Sequence, residues 1–213
     1  EIDERLLSDG TIERALDPAQ VVDAAREAEQ QGARGIAVCF LHSYRNPVHE
    51  LAAGAAIAAA GIDLDIVLSS EIWPQQNEYE RAIVTILNVF VKETISGYLA
   101  EIEADLRARV AGSRLFITKS NGGVMAAAYA RDYPVHTLLS GPAAGVTAAR
   151  YVGEMVEMEN LLTMDMGGTS TDLSLIYGGQ ATVSTEAEVG DFPLMMPVTG
   201  IEAIGAGGGS IAA

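Results

Sequence analysis

The sequence predicts an α/β fold with a mixed sheet, and three observations predict it. Helix-like and strand-like stretches alternate through residues 1–70, and a long amphipathic pattern fills residues 77–111. The remainder is glycine-rich with short β-type runs. Of the 213 residues, 49% are apolar and 20% charged, a mixture that folds rather than one that stays disordered. That length suits one large domain or two small ones. The division expected is an α/β part over 1–112 and a second part over 113–213.

Each element has a local cause. Asp17-Pro18 is an N-cap followed by proline at the first helical position, where its missing N–H costs nothing. Val21, Val22, Ala25 and Ala28 then share one helical face, and Gly32 stops the helix. Residues 35–41 form an unbroken apolar run of strand length, the pattern of a strand covered on both faces in a parallel sheet. Asn46-Pro47 opens a second helix, Gly61 closes it, and residues 62–69 make the next strand.

Asn77 with Glu80 three residues on has the form of a capping box. From there Ile83, Ile86, Leu87, Phe90, Val91, Ile95, Tyr98, Leu99, Ile102 and Leu106 step by three and four, one stripe expected to be mostly buried. Glu78 and Glu80 at the start and Arg107 and Arg109 at the end suit the helix dipole. Thr94 to Gly97 is the weak stretch, where the pattern allows a kink or two abutting helices. Residues 115–118 form a short strand ending in Ser120-Asn121-Gly122-Gly123, and residues 135–139 form another. Ser140-Gly141-Pro142 then opens a helix to Met155, with Ser140 read either as an N-cap or as part of an anion site.

Ten of the 22 glycines fall after residue 163, so the tail turns often. Leu161–Met166 and residues 173–177 are strands joined by Gly167-Gly168-Thr169-Ser170-Thr171, and Gly178-Gly179 leads into residues 181–186. An antiparallel meander over 161–186 is expected. Residues 201–204 then run into Gly205-Ala206-Gly207-Gly208-Gly209-Ser210.

Charge removes several function classes. Thirteen Lys and Arg against 29 Asp and Glu leave a formal charge of −16, which repels phosphate backbones and anionic lipid. No nucleic-acid or membrane role is expected. The most apolar stretch, residues 51–62, is mostly alanine and too short to cross a bilayer. A single cysteine, Cys39, excludes an intramolecular disulfide and fits a reducing cytoplasm, the expected location. Cys39 reads as inert core, and His42, His49 and His136 lack metal-ligand spacing with it. Glu78, Glu80 and Arg81 read as helix capping and surface charge, with a substrate or subunit contact as the alternative.

The chemistry concentrates in Met164-Asp165-Met166-Gly167-Gly168-Thr169-Ser170-Thr171-Asp172. An apolar strand delivers a carboxylate, and two glycines and three hydroxyls then turn the chain into a second strand. Glycines let backbone amides approach a phosphate closely, and hydroxyls add donors. A carboxylate beside an anion repels it unless a cation lies between, so Asp165 points to Mg²⁺ or to a water that it orients. The alternative is an ordinary glycine-rich hairpin. Gly207, Gly208 and Gly209 offer a second cradle for a nucleotide phosphate or ribose, although Ser210 breaks the Gly-x-Gly-x-x-Gly spacing. A tight packing turn is the other reading of that segment.

Those nine residues resemble the second phosphate hairpin of the actin-like ATPases, whose ribonuclease H-like fold has a mixed sheet with helices on both sides. The Thr-Ser-Thr-Asp form resembles the A subunit of the hydantoinase/oxoprolinase family, which includes N-methylhydantoinase, 5-oxoprolinase and the acetone carboxylase subunit. The segments 43–50 (Ser-Tyr-Arg-Asn-Pro-Val-His-Glu), 78–81 (Glu-Tyr-Glu-Arg), 120–123, 140–145 and 204–210 extend the likeness over almost the whole chain. The resemblance implies that 113–213 is the actin-like part and that the chain is an internal piece of a longer polypeptide, since no first phosphate hairpin precedes Leu115.

It further implies ATP-dependent hydrolysis of a small cyclic amide such as a hydantoin or 5-oxoproline, with a B-type hydantoinase subunit or domain as partner. Gly167, Gly168, Thr169, Ser170 and Thr171 would hold phosphate oxygens, helped by Gly207, Gly208 and Gly209. Asp165 and Asp172 would be the catalytic carboxylates, with Asp165 toward Mg²⁺. The rivals are a carboxylase subunit that activates a ketone, a small-molecule kinase of the actin-like group, and a scaffold fragment without activity.

Overall fold

The computed structural model of the chain describes residues 1–211; residues 212 and 213, the end of the expected second division, lie outside them. Two compact units result. Glu1–Ile95 with Phe192–Met195 forms the first, and Ser96–Asp191 with residues 196–211 forms the second. They divide inside the long helix, between Ile95 and Ser96, and not at residue 112.

In the first unit, β1 (Arg5–Leu6) and β2 (Ile12–Arg14) pair antiparallel. Helix α1 (Pro18–Gln30) starts where the sequence places it, because Asp17 stays extended and its carboxylate accepts from the Ala19 N–H at 2.9 Å. Strands β3 (Gly35–Val38) and β4 (Asp65–Leu68) run parallel, connected through α2 (Val48–Ala59). Asn46 Oδ1 accepts from the Val48 N–H at 3.1 Å at the start of α2. Val21 and Ala25 of α1, Ala53 and Ile57 of α2, Val38 and Leu68 form one buried cluster. Strand β3 ends at Val38, short of the expected residue 41, since the chain turns through 41–45 with His42 at φ 60.

A short helix α3 (Ser69–Ile72) precedes α4 (Glu78–Arg109), which runs through residues 94–97 as one helix and not as two abutting ones. Leu87 and Leu99 of its stripe are buried, yet Ile86, Phe90 and Tyr98 are 51%, 81% and 60% exposed. Arg81, Thr85 and Asn88 are fully buried instead. Their polarity is met inside: Thr85 donates within the helix to the Arg81 carbonyl at 2.7 Å, and the Arg81 guanidinium has three acceptors. A hydrophobicity pattern does not register that preference. Asn77 sits at φ 65, outside the extended region a capping box needs, and its carbonyl accepts from the Arg81 N–H at 3.0 Å. Among the described residues α4 is the one helix long and apolar enough to cross a membrane by length and composition. Its polar line of Arg81, Thr85 and Asn88 is buried in the first unit.

In the second unit, β5 (Phe116–Thr118) and β6 (Val124–Ala126) form a hairpin, followed by α5 (Ala127–Asp132). The expected strand at 135–139 is a 3₁₀ turn over Pro134–Thr137, because proline at its first position fixes a helical φ. Helix α6 (Ser140–Met155) takes Ser140 as its first residue and has no side-chain cap, so Ser140 is not an N-cap. Strands β7 (Leu161–Met166), β8 (Thr171–Tyr177) and β9 (Gln180–Ala181) form the expected antiparallel meander.

Beyond them, β10 (Val183–Ser184) pairs with β13 (Val198–Thr199), and β14 (Glu202–Ile204) adds to the far edge of β8. The short β11 (Ala187–Val189) and β12 (Phe192–Leu194) lie between, β12 within the first unit. The chain therefore has both parallel and antiparallel pairing, in separate sheets.

Candidate phosphate site

Strands β7 and β8 place Asp165 directly opposite Asp172. Paired residues of an antiparallel ladder project from the same face with Cβ atoms about 4.5–5.5 Å apart, so the two carboxylates are neighbours. Two like charges in that position repel. The turn between them is closed by the Gly167 N–H donating to the Ser170 carbonyl at 2.9 Å.

The sequence treats the two glycine segments separately; the structure stacks them. Strand β14 pairs with β8 so that Ile204 faces Thr171 and Ala203 faces Asp172, which delivers residues 205–210 beside the 167–170 turn. The Gly208 N–H donates to Gly167 O at 2.9 Å and the Gly209 N–H to Gly168 O at 3.4 Å. Thr171 is buried, and its hydroxyl donates to Ala206 O at 2.6 Å. Gly207 is required to be glycine: a Cβ there would sit 2.7 Å from the Gly168 carbonyl carbon and oxygen and from Thr169 N.

This arrangement divides the labour among the expected site residues. The amides of Gly207 and Ser210 bond within their own turn, Gly207 to Ser210 Oγ at 3.0 Å and Ser210 to Gly207 O at 2.9 Å. With the Gly208 and Gly209 amides also bonded, the segment acts as a brace. Thr171 locks the two turns together. Among the described residues the amides of Gly168, Thr169 and Ser170 meet no acceptor, and all three residues are exposed. These successive free amides, with the Thr169 and Ser170 hydroxyls beside them, are donors available to an anion.

The carboxylate pair also fits a divalent cation. Mg²⁺ takes one or two protein carboxylates and fills its remaining positions with phosphate oxygens and water. Asp165, exposed, and Asp172, half-buried, match that donor set, and among the described residues no cluster of three or more acids, histidines or cysteines competes. A groove of about 560 Å³ runs between α6 and the β7–β8 pair, lined by apolar residues such as Val146, Leu161 and Met164 and reaching Asp165 and Asp172.

Residues 81–213 match the family described as hydantoinase/oxoprolinase, and residues 1–61 match its N-terminal region. The chain belongs to the hydantoinase/oxoprolinase family. It is 33% identical to the caprolactamase alpha subunit of Pseudomonas jessenii, over 98% of this chain and 30% of that one. The crystal structure of the ATP-dependent caprolactamase from that organism superposes with a TM-score of 0.90, covering 100% of this chain and 31% of the other. A nucleotide-free acetone carboxylase structure gives a TM-score of 0.84 at 28% identity, over 97% and 29% of the two chains. The 5-oxoprolinase of Saccharomyces cerevisiae is 31% identical over 84% of this chain and 14% of its own length. The chain thus spans about a third or less of the relatives it matches.

The other family-like segments meet within each unit. In the second, Ser120 donates to His136 O at 2.7 Å and accepts from the Leu139 N–H at 3.2 Å, tying the Ser120–Gly123 turn to the start of α6. Gly122 stands at φ +79 with no room for a Cβ beside Thr147. Burial, with the Lys119 charge nearby, holds His136 down at about 4.

In the first unit, segments 43–50 and 78–81 build one buried polar cluster. Arg81 is inside it, not on the surface as the sequence reading has it. Its guanidinium donates to Ser69 Oγ at 3.0 Å, Gln75 O at 2.8 Å and Phe40 O at 2.8 Å. Glu50 accepts from the Phe40 N–H, the Ser69 hydroxyl and the Ser70 N–H. His49 meets Glu4 at 2.6 Å. Burial pushes the Cys39 thiol above its usual range, which fits the inert reading.

Proposed function

We propose that the chain supplies one phosphate-holding half of an ATP-dependent enzyme that opens a cyclic amide. The observation that carries this reading is the exposed run of Gly168, Thr169 and Ser170 amides, braced by the Gly207–Ser210 turn and flanked by Asp165 and Asp172. An amide carbonyl is a poor electrophile because of resonance. Transfer of a phosphoryl group from ATP to its oxygen yields ADP and a phosphorylated imidate-like species that water opens to amine, carboxylate and phosphate.

Phosphoryl transfer depends chiefly on positioning and on neutralising charge, which is what these residues offer. The three amides and the Thr169 and Ser170 hydroxyls would bind non-bridging phosphate oxygens. Asp165 and Asp172 would hold Mg²⁺, which neutralises phosphate charge when bound. The remaining walls of the nucleotide site, and hydrolysis of the activated amide, belong in this proposal to the rest of a longer polypeptide and to a B-type partner subunit or domain in the cytoplasm. Subunit names among the relatives support a partner.

A carboxylase reading has its own support in the acetone carboxylase likeness. One assay separates the two: ADP release by the full-length protein with its partner, challenged with lactams, hydantoins, 5-oxoproline, and ketones plus bicarbonate. ADP release dependent on a cyclic amide is the expected result. Release dependent only on a ketone and bicarbonate replaces hydrolysis by carboxylation, and no substrate-dependent release removes both.

A further inference from the structure

Apart from the phosphate site, the first unit holds a second polar constellation that no step above uses. His42 Nδ1 and Glu78 Oε1 face each other at 4.0 Å. Both atoms are shielded from solvent, and neither has a hydrogen-bond partner among the described residues. Native interiors rarely leave such atoms unpaired without a functional reason. The backbone adds to this. His42 holds φ 60 and Asn77, next to Glu78, holds φ 65, left-handed conformations that non-glycine residues keep where the surroundings impose them.

An imidazole whose inner nitrogen looks at a carboxylate has its outer nitrogen left for a ligand. The His42 side chain is 22% exposed, and it forms part of the wall of a cleft of about 500 Å³ together with Arg5, Ser8, Asp9 and Glu13. Arg5 and Glu13 have no ion-pair partner among the described residues. Hydrogen bonds from Thr11 keep the Asp9 carboxyl below its usual range, so it is a carboxylate at neutral pH. The cleft is therefore lined by a guanidinium, two carboxylates and an imidazole, with the Arg45 charge close enough to act on Asp9.

We propose that this cleft binds a small zwitterion, an amino acid with separated charges. Its ammonium group is taken by His42 together with Asp9 and Glu13, its carboxylate by Arg5, and Glu78 acts as the positioning residue for His42. The site is independent of the phosphate-site reading, so either fails without the other.

The test is a ligand titration of the 213-residue protein followed by NMR of the His42 ring, one of only three histidines in the chain. The probes are α,ω-amino acids from β-alanine to 6-aminohexanoate, with methylammonium and propionate as single-charge controls. Saturable movement of the His42 ring with at least one amino acid, at least tenfold tighter than either control, is expected. His42→Asn, which tolerates the left-handed backbone, and Arg5→Gln should each weaken binding at least tenfold with an unchanged melting temperature. Glu78→Gln should weaken it similarly and shift the ring ¹⁵N signals away from the Nδ1–H tautomer, a change that a purely structural role would not produce. No saturable movement with any amino acid overturns the proposal. So does propionate or methylammonium binding as tightly as the best amino acid, or binding unaffected by His42→Asn.

Discussion

Replacing Gly207 by alanine tests how the two glycine turns hold the phosphate site. The added Cβ would lie 2.7 Å from three backbone atoms, the Gly168 carbonyl carbon and oxygen and Thr169 N. Carbon contacts relax near about 3.5–4.0 Å, so the turns must part by about 1 Å. No flexible side chain is present to yield. Overpacking of this kind costs about 1–3 kcal/mol. Parting the turns also stretches the Gly208 and Gly209 amide bonds to Gly167 O and Gly168 O, now 2.9 and 3.4 Å. A net loss of about 1 kcal/mol for the shorter bond brings the total to about 2–4 kcal/mol. At about 2–4 °C per kcal/mol for a chain of this size, the melting temperature falls by about 5–15 °C. Gly205→Ala is the control, since a Cβ there meets nothing within 4 Å. It should be neutral or stabilising by up to about 1 kcal/mol. Thermal melts of the two variants decide the matter. Gly207→Ala melting within about 2 °C of the parent, or Gly205→Ala costing as much, would refute the brace.

Four further outcomes are expected. Leu87→Ala should cost about 2–5 kcal/mol in chemical denaturation, whereas Phe90→Ala, at 81% exposed, should stay within about 0.5 kcal/mol; equal effects would contradict the inward turn of α4. Thr171→Val should destabilise by about 1–3 kcal/mol because Ala206 O loses its donor, and an unchanged midpoint would show that the hydroxyl is dispensable. NMR titration should place the His136 midpoint near 4 rather than 6.5. The unfolded state then binds more protons between those values, so stability falls as pH drops from about 6.5 toward 4 and levels off below; a flat profile with a midpoint near 6.5 would contradict the burial. The 213-residue chain alone should show no appreciable ATPase activity, since one hairpin leaves phosphate oxygens in water; turnover at the rate of the full-length protein would refute the half-site.

Much of the fold was legible because local chemistry dictates it. Asp17-Pro18 caps α1, and the apolar runs ending at Val38 and Leu68 pair in parallel between helices. The Asp165–Asp172 hairpin was legible for the same reason, as glycines and hydroxyls between two apolar runs leave few alternatives. What was missed depends on contacts distant in sequence. Nothing local shows that Gly207 packs on Gly168, or that Arg81 is drawn inward by Ser69, Gln75 and Phe40. Residues 135–139 look strand-like from Val135 and Leu139, yet Pro134 and the bonds from Ser120 and Leu139 around His136 curl them into a turn. The His42–Glu78 pair lies 36 positions apart; Glu78 falls in the family-like segment 78–81, but His42 lies just before the segment 43–50, so nothing local joins them.

The central claim is that the 167–170 turn and its flanking carboxylates handle ATP phosphates, and Asp165 tests it most directly. Asp165→Asn keeps size and strand pairing and removes one charge beside Asp172, so the fold should hold, which an unchanged melt verifies. Steady-state ADP release is then compared in the full-length protein with its partner at saturating ATP, Mg²⁺ and cyclic amide. The expected kcat is lower by on the order of 100-fold or more, the scale seen when a group that stabilises transition-state charge is lost. An Asp165→Asn protein with unchanged kcat would contradict the claim.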